Sequence, residues 1–407
     1  MPQTKAVAIL RPRALWEELK ELPFSEFCYY AAFACYSLMC GLERTTFEWF
    51  LFMPIDVFNV LLEVAALFLL AIKMLIQGSR PVNWLLSFFL VSIGFISWTQ
   101  SSVGSLFWLA LFVVCGKGIR IRPLAAVALL VTSIVLMVTV QFSFAGVIEN
   151  IGIASGSSTR WALGFQHPNS LGVYALLVGI SLSVLRFGKN PAPDIVVLLC
   201  ISVFCWTVAY SRTASMLAIV QIAILLCFYN AKTKGTRRRL TIVFVAMIVV
   251  IAAFSFFAMV AYTPSNALLF KINDLMSGRL YLMHGYYELS PVSLFGFNFE
   301  AQAPIFHDEY GRPMFFIVDN AYCHVFLRYG LVPSALFFGG YAFLLRRAVK
   351  KKWWNVILFG LVIMAVYGFS ESLASRCECN YFLLALGAEL LYGSENYRLG
   401  VNDSSAQ

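Results

Sequence analysis

The sequence predicts an all-α integral membrane protein with about twelve transmembrane helices. Three features carry that prediction: the composition, the length of the apolar runs and the placement of the basic residues. Of the 407 residues, 60% are hydrophobic and 13% are charged, and the mean hydropathy is +0.78. Soluble domains are about 45–50% apolar and about 25% charged. Such a chain avoids aggregation when its apolar surface faces lipid.

The apolar runs are long enough to cross a bilayer, since a spanning helix needs about 20 mostly apolar residues. By that measure there are twelve candidate spans, centred near residues 34, 64, 91, 110, 133, 178, 202, 221, 250, 334, 361 and 386. Basic residues before the first run resemble the start of a signal peptide. No small-residue cleavage site follows them, which favours an uncleaved anchor.

The basic residues indicate the orientation of these spans, because Lys and Arg accumulate in short cytoplasmic loops. If the N-terminus is cytoplasmic and the spans alternate, every strongly basic loop falls inside: residues 73–80, 117–122, 186–189, 232–239 and 346–352. This pattern predicts a multi-pass protein of the cytoplasmic (inner) membrane with both termini in the cytoplasm. It also explains most of the net charge of +9, so we expect no nucleic-acid partner.

Two long polar loops fall on the outside under the same alternation. One runs from about residue 144 to 168, and the other covers residues 263–318, between the ninth and tenth spans. A structureless loop of the second length would be unusual in a compact protein. We therefore expect residues 263–318 to form short helices that lie on the outer membrane face and cover a site within a single polytopic domain, residues 1–407.

Five arginines lie outside, where the orientation rule does not explain them: Arg160, Arg212, Arg279, Arg312 and Arg376. Arg212 lies in a tight joint between two apolar runs. An arginine at mid-membrane costs about 2.5–3.5 kcal/mol on insertion scales, so it normally faces a polar cavity or a partner. One interpretation is a snorkelling arginine at the interface. The other is a guanidinium that binds an anion, since arginine contacts phosphate in a bidentate manner.

The stretch RWALGFQHPNSLG, residues 160–172, is unusually polar and rich in glycine for its apolar surroundings. Pro168 suits the first turn of a helix, and Asn169 and Ser170 can satisfy free backbone groups there. Irregular backbone at membrane depth is tolerated where it lines a cavity. This favours a re-entrant or broken helix start with His167 facing the cavity. The alternative is an ordinary capped helix whose histidine bonds locally.

Five short stretches resemble, in order, the motifs of one known family, the O-antigen ligase and polymerase superfamily. HPNSLG at 167–172 resembles its "HPN…G" element, and SRTA at 211–214 resembles its Ser-Arg-Thr element. SGRLYLMHGYYELSPVSLFGFNF at 277–299 is similar to its "GR…lfG" loop. DNAYCHVFLRYGLVPSALFF at 319–338 is similar to its "(H/D)N" element, and GFSESLASRCECNYF at 368–382 to its late Glu…Asn stretch.

The resemblance implies a membrane fold of the glycosyltransferase type C class that acts on sugars linked to polyprenyl pyrophosphate. The substrate would be an undecaprenyl-pyrophosphate-linked oligosaccharide. Membrane lipids, a flippase and a chain-length regulator would be further partners. Pyrophosphate is already a charged, stable leaving group, so the reaction needs charge stabilisation and a base rather than a protonating acid. No D-x-D pair is present to hold a metal on a nucleotide sugar, so we expect neither metal nor cofactor.

The same resemblance suggests a role for each candidate residue. Arg212 and Arg279, with Arg160, would bind the donor pyrophosphate. Asp319 or Glu371 would orient or deprotonate the attacking hydroxyl. An alternative for Asp319 is a structural N-cap. Contacts to the cavity or the sugar are expected from His167, Asn169, Asn320, His284, Tyr322 and His324.

Three of the histidines have a second, structural interpretation. His284 lies among tyrosines that could stack on sugar rings or anchor the chain at the membrane interface. His324 is either a core residue or part of the cavity wall. The HDE run of His307, Asp308 and Glu309 suggests metal binding, but a solvated loop face explains it better because no second ligand set accompanies it.

Two classes of function remain. The first is an enzyme that polymerises lipid-linked repeat units of O-antigen, capsule or exopolysaccharide, with a ligase to a lipid or protein acceptor as its close relative. The second is a flippase or transporter of the same lipids. Transporters usually show similarity between halves, whereas here the polar groups gather in the second half. Because the family's ligases commonly place a histidine where this chain has Asp319, the sequence favours the polymerase.

Overall fold

The computed structural model describes residues 22–155, 158–289, 292–302, 306–307, 313–314, 318–351 and 355–392. Most of this structure is helical, as the sequence predicts, and three two-stranded antiparallel sheets are added to it. In chain order the elements are α1 (Phe24–Leu42), β1 (Trp49–Phe50), β2 (Met53–Pro54), α2 (Ile55–Ile76), α3 (Pro81–Ser101), α4 (Ser105–Val114), α5 (Ile121–Phe144), β3 (Gly152–Ser155), β4 (Ser158–Trp161), α6 (Pro168–Leu185), α7 (Ala192–Thr207), α8 (Arg212–Asn230), α9 (Lys234–Ala261), α10 (Ala267–Leu275), α11 (Arg279–Leu289), α12 (Phe299–Gln302), β5 (Phe306–His307), β6 (Pro313–Met314), α13 (Ala321–Tyr329), α14 (Leu331–Lys350) and α15 (Val356–Gly368).

Six helices of the described chain are long and apolar enough to cross a membrane: α2, α3, α5, α6, α8 and α9. They make the chain a multi-pass membrane protein, while the number of twelve spans stays a prediction. Several expected spans are shorter. For example, α7 has 16 residues, which gives a length of about 24 Å, against about 30 Å for the hydrocarbon core.

The run centred near residue 386 does not form one α-helix. It consists of a 3-10 helix, Tyr381–Leu384, and a π-helix, Gly387–Tyr392. A carboxylate is buried inside it, because Glu389 is 4% exposed and lies 2.9 Å from Lys351 Nζ. The sequence criterion counted apolar residues and missed both the breaks in the helix and this ion pair.

The chain divides into two compact units, each described here by itself. Among the described residues, unit 1 comprises residues 22–77 and 118–230, and unit 2 comprises residues 78–117 and 231–392. In unit 1, α1 packs on α2 and α5, α5 on α6, and α7 on α8. A Cβ at Gly41 of α1 would lie 2.9 Å from Val135 of α5, so a glycine allows these two helices to approach closely.

The expected short helices in residues 263–318 are present in the described part of that segment as α10, α11 and α12. Asn266 caps α10, because its Oδ1 accepts hydrogen bonds from the N–H groups of Leu268 and Leu269 at 3.1 and 3.2 Å. Apolar side chains of these helices pack with the end of α9 and with α13 in one buried cluster that includes Tyr262 and Tyr286. This packing places the start of α11 next to the start of α13 in unit 2.

Candidate active site

In unit 2, the guanidinium of Arg279 binds two carboxylates and a backbone carbonyl. Its Nε lies 2.9 Å from Asp319 Oδ2, its Nη2 lies 3.2 Å from Glu371 Oε1, and its Nη1 donates to the carbonyl of Ser370. The side chains of Arg279, Asp319 and Glu371 are 13%, 21% and 9% exposed, respectively. We refer to these three side chains with the Ser370 carbonyl as the Arg279 cluster. It joins three of the five motif stretches, although Arg279 and Glu371 are 92 positions apart.

The turn before α11 fixes the position of Arg279. Ser277 and Gly278 adopt positive φ angles of 56° and 83°, a region that glycine enters without strain. The buried Asn273 holds the other side of the turn, because its Oδ1 accepts from the N–H of Tyr281 at 2.9 Å and its carbonyl accepts from the N–H of Gly278 at 2.9 Å. Arg279 is therefore the first residue of a helix whose start is fixed by several hydrogen bonds.

Asn320, and not Asp319, caps α13, so the N-cap interpretation of Asp319 is wrong. Asn320 Oδ1 accepts from the N–H of Cys323 at 3.1 Å, and its Nδ2 donates to Ser255 Oγ at 2.9 Å and to the Phe369 carbonyl at 3.0 Å. The amide of Asn320 thereby binds α9 and the end of α15 as well as α13. Because the side chain of Asn320 caps the helix, the carboxylate of Asp319 is available to pair with Arg279.

The electrostatics of the Arg279 cluster favour a reactive carboxylate. Burial raises the pKa of Asp319 above its usual value, and the Arg279 guanidinium opposes part of that rise. With both carboxylates ionised, two negative charges share one positive charge, so the cluster carries an excess negative charge. A carboxylate with a raised pKa that is still ionised is a stronger base than one in water.

Two glycines let the backbone close around α13. Gly330, at φ 82° and ψ −178°, follows α13, and a Cβ there would lie 2.6 Å from the backbone N of Gly296. Gly296 has a φ of 129°, and a Cβ there would lie 3.0 Å from the Arg328 carbonyl. Both positions require glycine because other residues would be strained and would strike backbone atoms. Gly296 of the "lfG" stretch therefore packs on Gly330, which follows α13 within the "DN" stretch.

Asn380 fixes the segment that follows Glu371. Its Nδ2 donates to the Ala374 carbonyl at 2.8 Å, and its N–H donates to the Arg376 carbonyl at 2.8 Å. Asn380 is 1% exposed. The late Glu…Asn stretch thus supplies two ligands of Arg279, the Ser370 carbonyl and the Glu371 carboxylate, and one buried amide that holds the turns after them.

In unit 1, the described residues between 145 and 167 form turns and the antiparallel pair β3–β4 rather than a re-entrant helix, and α6 begins at Pro168 as expected. His167 caps α6, because its Nδ1 accepts from the N–H of Asn169 at 3.1 Å. Asn169 in turn accepts from Arg160 Nη2 at 2.6 Å. These three candidates therefore meet at one helix start, where His167 has the capping role that the alternative interpretation gave it.

The HPNSLG and SRTA stretches pack against each other in unit 1. A Cβ at Gly172 would lie 3.0 Å from the Cβ atoms of Ser211 and Ala214, so the glycine allows close approach of α6 to the start of α8. Arg212 is the first residue of α8, after a joint of four residues that begins at Val208. Its side chain is exposed and has no ion-pair partner among the described residues.

Three other candidates of unit 2 make structural contacts. His284 Nδ1 lies 2.8 Å from the Met259 carbonyl, to which it must donate, and its ring lies 6.0 Å from that of Tyr262. Tyr322 donates its hydroxyl to the Ala365 carbonyl at 2.8 Å. His324 is half-buried, and its ring contacts that of Tyr329 edge-on at 5.8 Å. None of these four contacts is with a residue of the Arg279 cluster.

Sequence reasoning missed the partners that hold these candidates in place. Ser255, which is fully buried in α9, accepts from Asn320, and Ser370 contributes its carbonyl to Arg279. A serine inside an apolar helix was the available signal for Ser255. A backbone carbonyl leaves no signal in a sequence.

Two of the sequence-based expectations fall partly outside the described residues. Arg312, Asp308 and Glu309 are not described, and His307 lies in β5. Among the residues that are described, no group of three or more His, Cys, Asp or Glu side chains is placed to hold a metal ion. No family model matches this chain, and neither a curated protein nor a solved structure is significantly similar to it.

Proposed function

We propose that the protein polymerises lipid-linked oligosaccharide repeat units and that Asp319 is the base of this reaction. The observation that carries the proposal is the Arg279 cluster, in which a guanidinium that is 13% exposed holds two carboxylates at the junction of three motif stretches. Paired carboxylates with an asymmetric environment are a common arrangement for proton transfer. The function itself rests on the resemblance of those stretches to the polymerase and ligase superfamily.

In the proposed reaction, a hydroxyl of the new lipid-linked repeat attacks the anomeric carbon of the growing chain. The bond between that carbon and the pyrophosphate oxygen breaks, and a glycosidic bond forms. The hydroxyl proton passes to Asp319, and the electron pair of the broken bond leaves with the polyprenyl pyrophosphate. Asp319 later returns the proton to solvent, so the protein is unchanged after each cycle.

The geometry supports Asp319 over Glu371 as the base. The Asp319 side chain is 21% exposed and that of Glu371 is 9% exposed, so the first is more accessible to a substrate hydroxyl. Burial raises the pKa of Asp319, which increases its basicity. Glu371 is then a positioning residue that holds Nη2 of Arg279 while Nε orients Asp319.

The donor pyrophosphate needs cations that are not already neutralised. Arg279 directs all three of its nitrogens to protein oxygens, so we assign it first to the carboxylates. Arg212 is the stronger candidate for the pyrophosphate, because its side chain is exposed and lacks an ion-pair partner in the described chain. Arg160 stays a candidate through its position beside Asn169.

We further propose that residues 263–318 lie outside the cytoplasmic membrane and that both termini lie inside. The basic loops support this orientation. Gly235 and Ser265 are both exposed and lie near opposite ends of α9. We expect a membrane-impermeant thiol reagent added to intact cells to label Ser265→Cys but not Gly235→Cys, relative to the parent chain with its native cysteines. The reverse pattern would overturn the orientation.

Sizing of the surface glycan on a gel tests the function. In cells that lack the gene, loss of long chains with single repeats retained indicates a polymerase. A ligase mutant would instead keep polymer on the lipid carrier, and a flippase mutant would accumulate single repeats on the cytoplasmic side. Purified protein should also lengthen a purified lipid-linked repeat, and failure to do so under conditions that keep it folded would contradict the proposal.

A further inference from the structure

Unit 2 has a basic surface at one end, separate in sequence from the Arg279 cluster. A cavity of about 640 Å³ there is lined by Lys234, Arg237 and Arg238 of α9 and by Val349 of α14, with Gly235, Thr241 and Ile242 completing the wall. A second cavity, of about 260 Å³, is lined by Phe343, Arg346, Arg347 and Lys350 of α14. We refer to the first as the basic cavity.

Positive charge in this region exceeds negative charge. The described residues that line the two cavities include six cations and no carboxylate. The buried Glu389 lies 2.9 Å from Lys351 Nζ and 3.8 Å from Arg347 Nε, so its charge is already shared between Lys351 and one of these six cations. Cations that face a common cavity repel one another unless an anion lies between them.

The start of α9 adds to this imbalance. The N-terminus of a helix carries a partial positive charge, and cations there are unfavourable. Lys234, Arg237 and Arg238 nevertheless occupy the first two turns of α9 and are exposed. A bias of charge between the two sides of the membrane explains why these residues are basic. It does not explain why they line one cavity between two helices.

Part of the wall of the basic cavity is apolar and exposed. Ile242 is 51% exposed and Val349 is 43% exposed, and Val243 beside them is 57% exposed. Because α9 is long and apolar enough to span a membrane, Ile242 and Val243 lie in its apolar part, directly after the basic turns, and Val349 of α14 lines the same cavity. A ligand with an anionic head and hydrocarbon chains would meet both surfaces, whereas a soluble anion would leave the apolar wall uncovered.

We propose that the basic cavity binds the phosphate headgroup of an anionic phospholipid, whose acyl chains lie along Ile242 and Val349. Basic pockets between transmembrane helices suit such headgroups. This lipid site is distinct from the lipid-linked substrate of the proposed reaction, and it stands or falls independently of that function. The Nε of Arg237 donates to the Ala231 carbonyl at 2.9 Å, which holds this guanidinium at the cavity.

The test uses full-length, delipidated protein titrated with phosphatidylglycerol or phosphatidylcholine, with bound lipid counted by native mass spectrometry. Each basic residue near an anionic membrane surface contributes about 1 kcal/mol, which corresponds to about a fivefold change in affinity. We expect the protein to bind phosphatidylglycerol more tightly than phosphatidylcholine. Arg238→Gln should lower the affinity for phosphatidylglycerol about fivefold, and the double variant Lys234→Gln, Arg238→Gln should lower it about 25-fold.

Lys271→Gln is the matched control, because Lys271 is an exposed cation of unit 2 on α10, beyond the far end of α9. Arg238→Lys keeps the charge and should retain selectivity for phosphatidylglycerol. If it does, a loss of affinity in Arg238→Gln is due to the lost charge and not to misfolding. Equal affinity for the two lipids, equal effects of Arg238→Gln and Lys271→Gln, or full displacement of the lipid by inorganic phosphate would each overturn the proposal.

Discussion

Asp319→Asn separates a catalytic role of this residue from a structural one. The asparagine keeps the shape of the side chain and can still accept a hydrogen bond from Arg279 Nε, but it cannot take up a proton. Loss of a general base costs about 10²–10⁴ in rate. We therefore expect almost no glycan polymer from this variant at normal expression.

The same substitution should leave stability nearly unchanged. The 2.9 Å hydrogen bond between Arg279 Nε and Asp319 Oδ2 is charge-assisted, and such a bond contributes about 1.5–3 kcal/mol to stability. A hydrogen bond from Arg279 to the neutral asparagine would contribute about 0.5–1.5 kcal/mol, so the substitution loses about 1 kcal/mol. Removal of a buried charge offsets that loss, because burial raises the pKa of Asp319 in the folded protein. An acid whose pKa is higher in the folded protein than in the unfolded chain stabilises the fold at pH values below the unfolded-state pKa. That contribution is lost as the pH rises through the folded-state pKa. The asparagine variant should therefore gain stability relative to the wild type as the pH rises through the raised pKa of Asp319.

Two measurements check this prediction: glycan length on a gel, and thermal unfolding of the purified protein in detergent at pH 5 and pH 8. Asp274→Asn is the control, because Asp274 is an exposed aspartate of α10 in the same unit. Normal polymer from Asp319→Asn would refute its role as the base. A large fall in the unfolding temperature with the same pH dependence as the control would show that the residue is structural.

The other predictions concern charge, backbone and anion binding. Arg279→Gln should lower the free energy of unfolding by about 3–5 kcal/mol because it leaves two buried carboxylates without their cation, and unfolding scans should show partial recovery at acidic pH. Gly330→Ala should reduce folded yield, since a strained φ and ψ alone costs about 1–3 kcal/mol, whereas Gly339→Ala, with open space around the new Cβ, should have normal yield. Arg212→Ala should slow polymerisation about ten- to a hundredfold with an unchanged unfolding temperature, and Arg212→Lys should also be slow. Wild-type polymer length in either variant would contradict pyrophosphate binding by Arg212.

Local chemistry of the chain predicted several features of the fold. Pro168 begins a helix as its fixed φ suggests, and Arg212 follows a tight joint between two helices. The glycine-rich stretch 160–172 includes Gly164, at φ 84°, which allows close packing because a Cβ there would lie 2.7 Å from Ile148. Each of these features depends on residues that are near in sequence. They can therefore be read from turn and capping preferences.

Long-range pairing could not be read in the same way. The sequence identified Arg279, Asp319 and Glu371 as outward charges, but assigned the arginine to the substrate and the carboxylates to the base. Nothing in a single sequence shows that a charge is already neutralised by a residue 92 positions away. The alternative that made Asp319 the cap of α13 was wrong by one residue for a similar reason, because the capping residue Asn320 also binds Ser255 and Phe369, which only the folded chain brings together.

The pairing of Arg279 with Asp319 also predicts the pH dependence of the reaction. Burial raises the pKa of Asp319, so the ionised base is lost as pH falls through that raised pKa, at a higher pH than for an exposed aspartate. Arg279 opposes the rise, so its removal should move the acidic limb of the rate profile further up the pH scale. Initial rates of the purified protein on a lipid-linked repeat, measured from pH 4 to pH 9 for the wild type and Arg279→Gln, test both statements. Acidic limbs that coincide in the two proteins would show that the guanidinium does not control this proton, and the base would then have to be sought outside the Arg279 cluster.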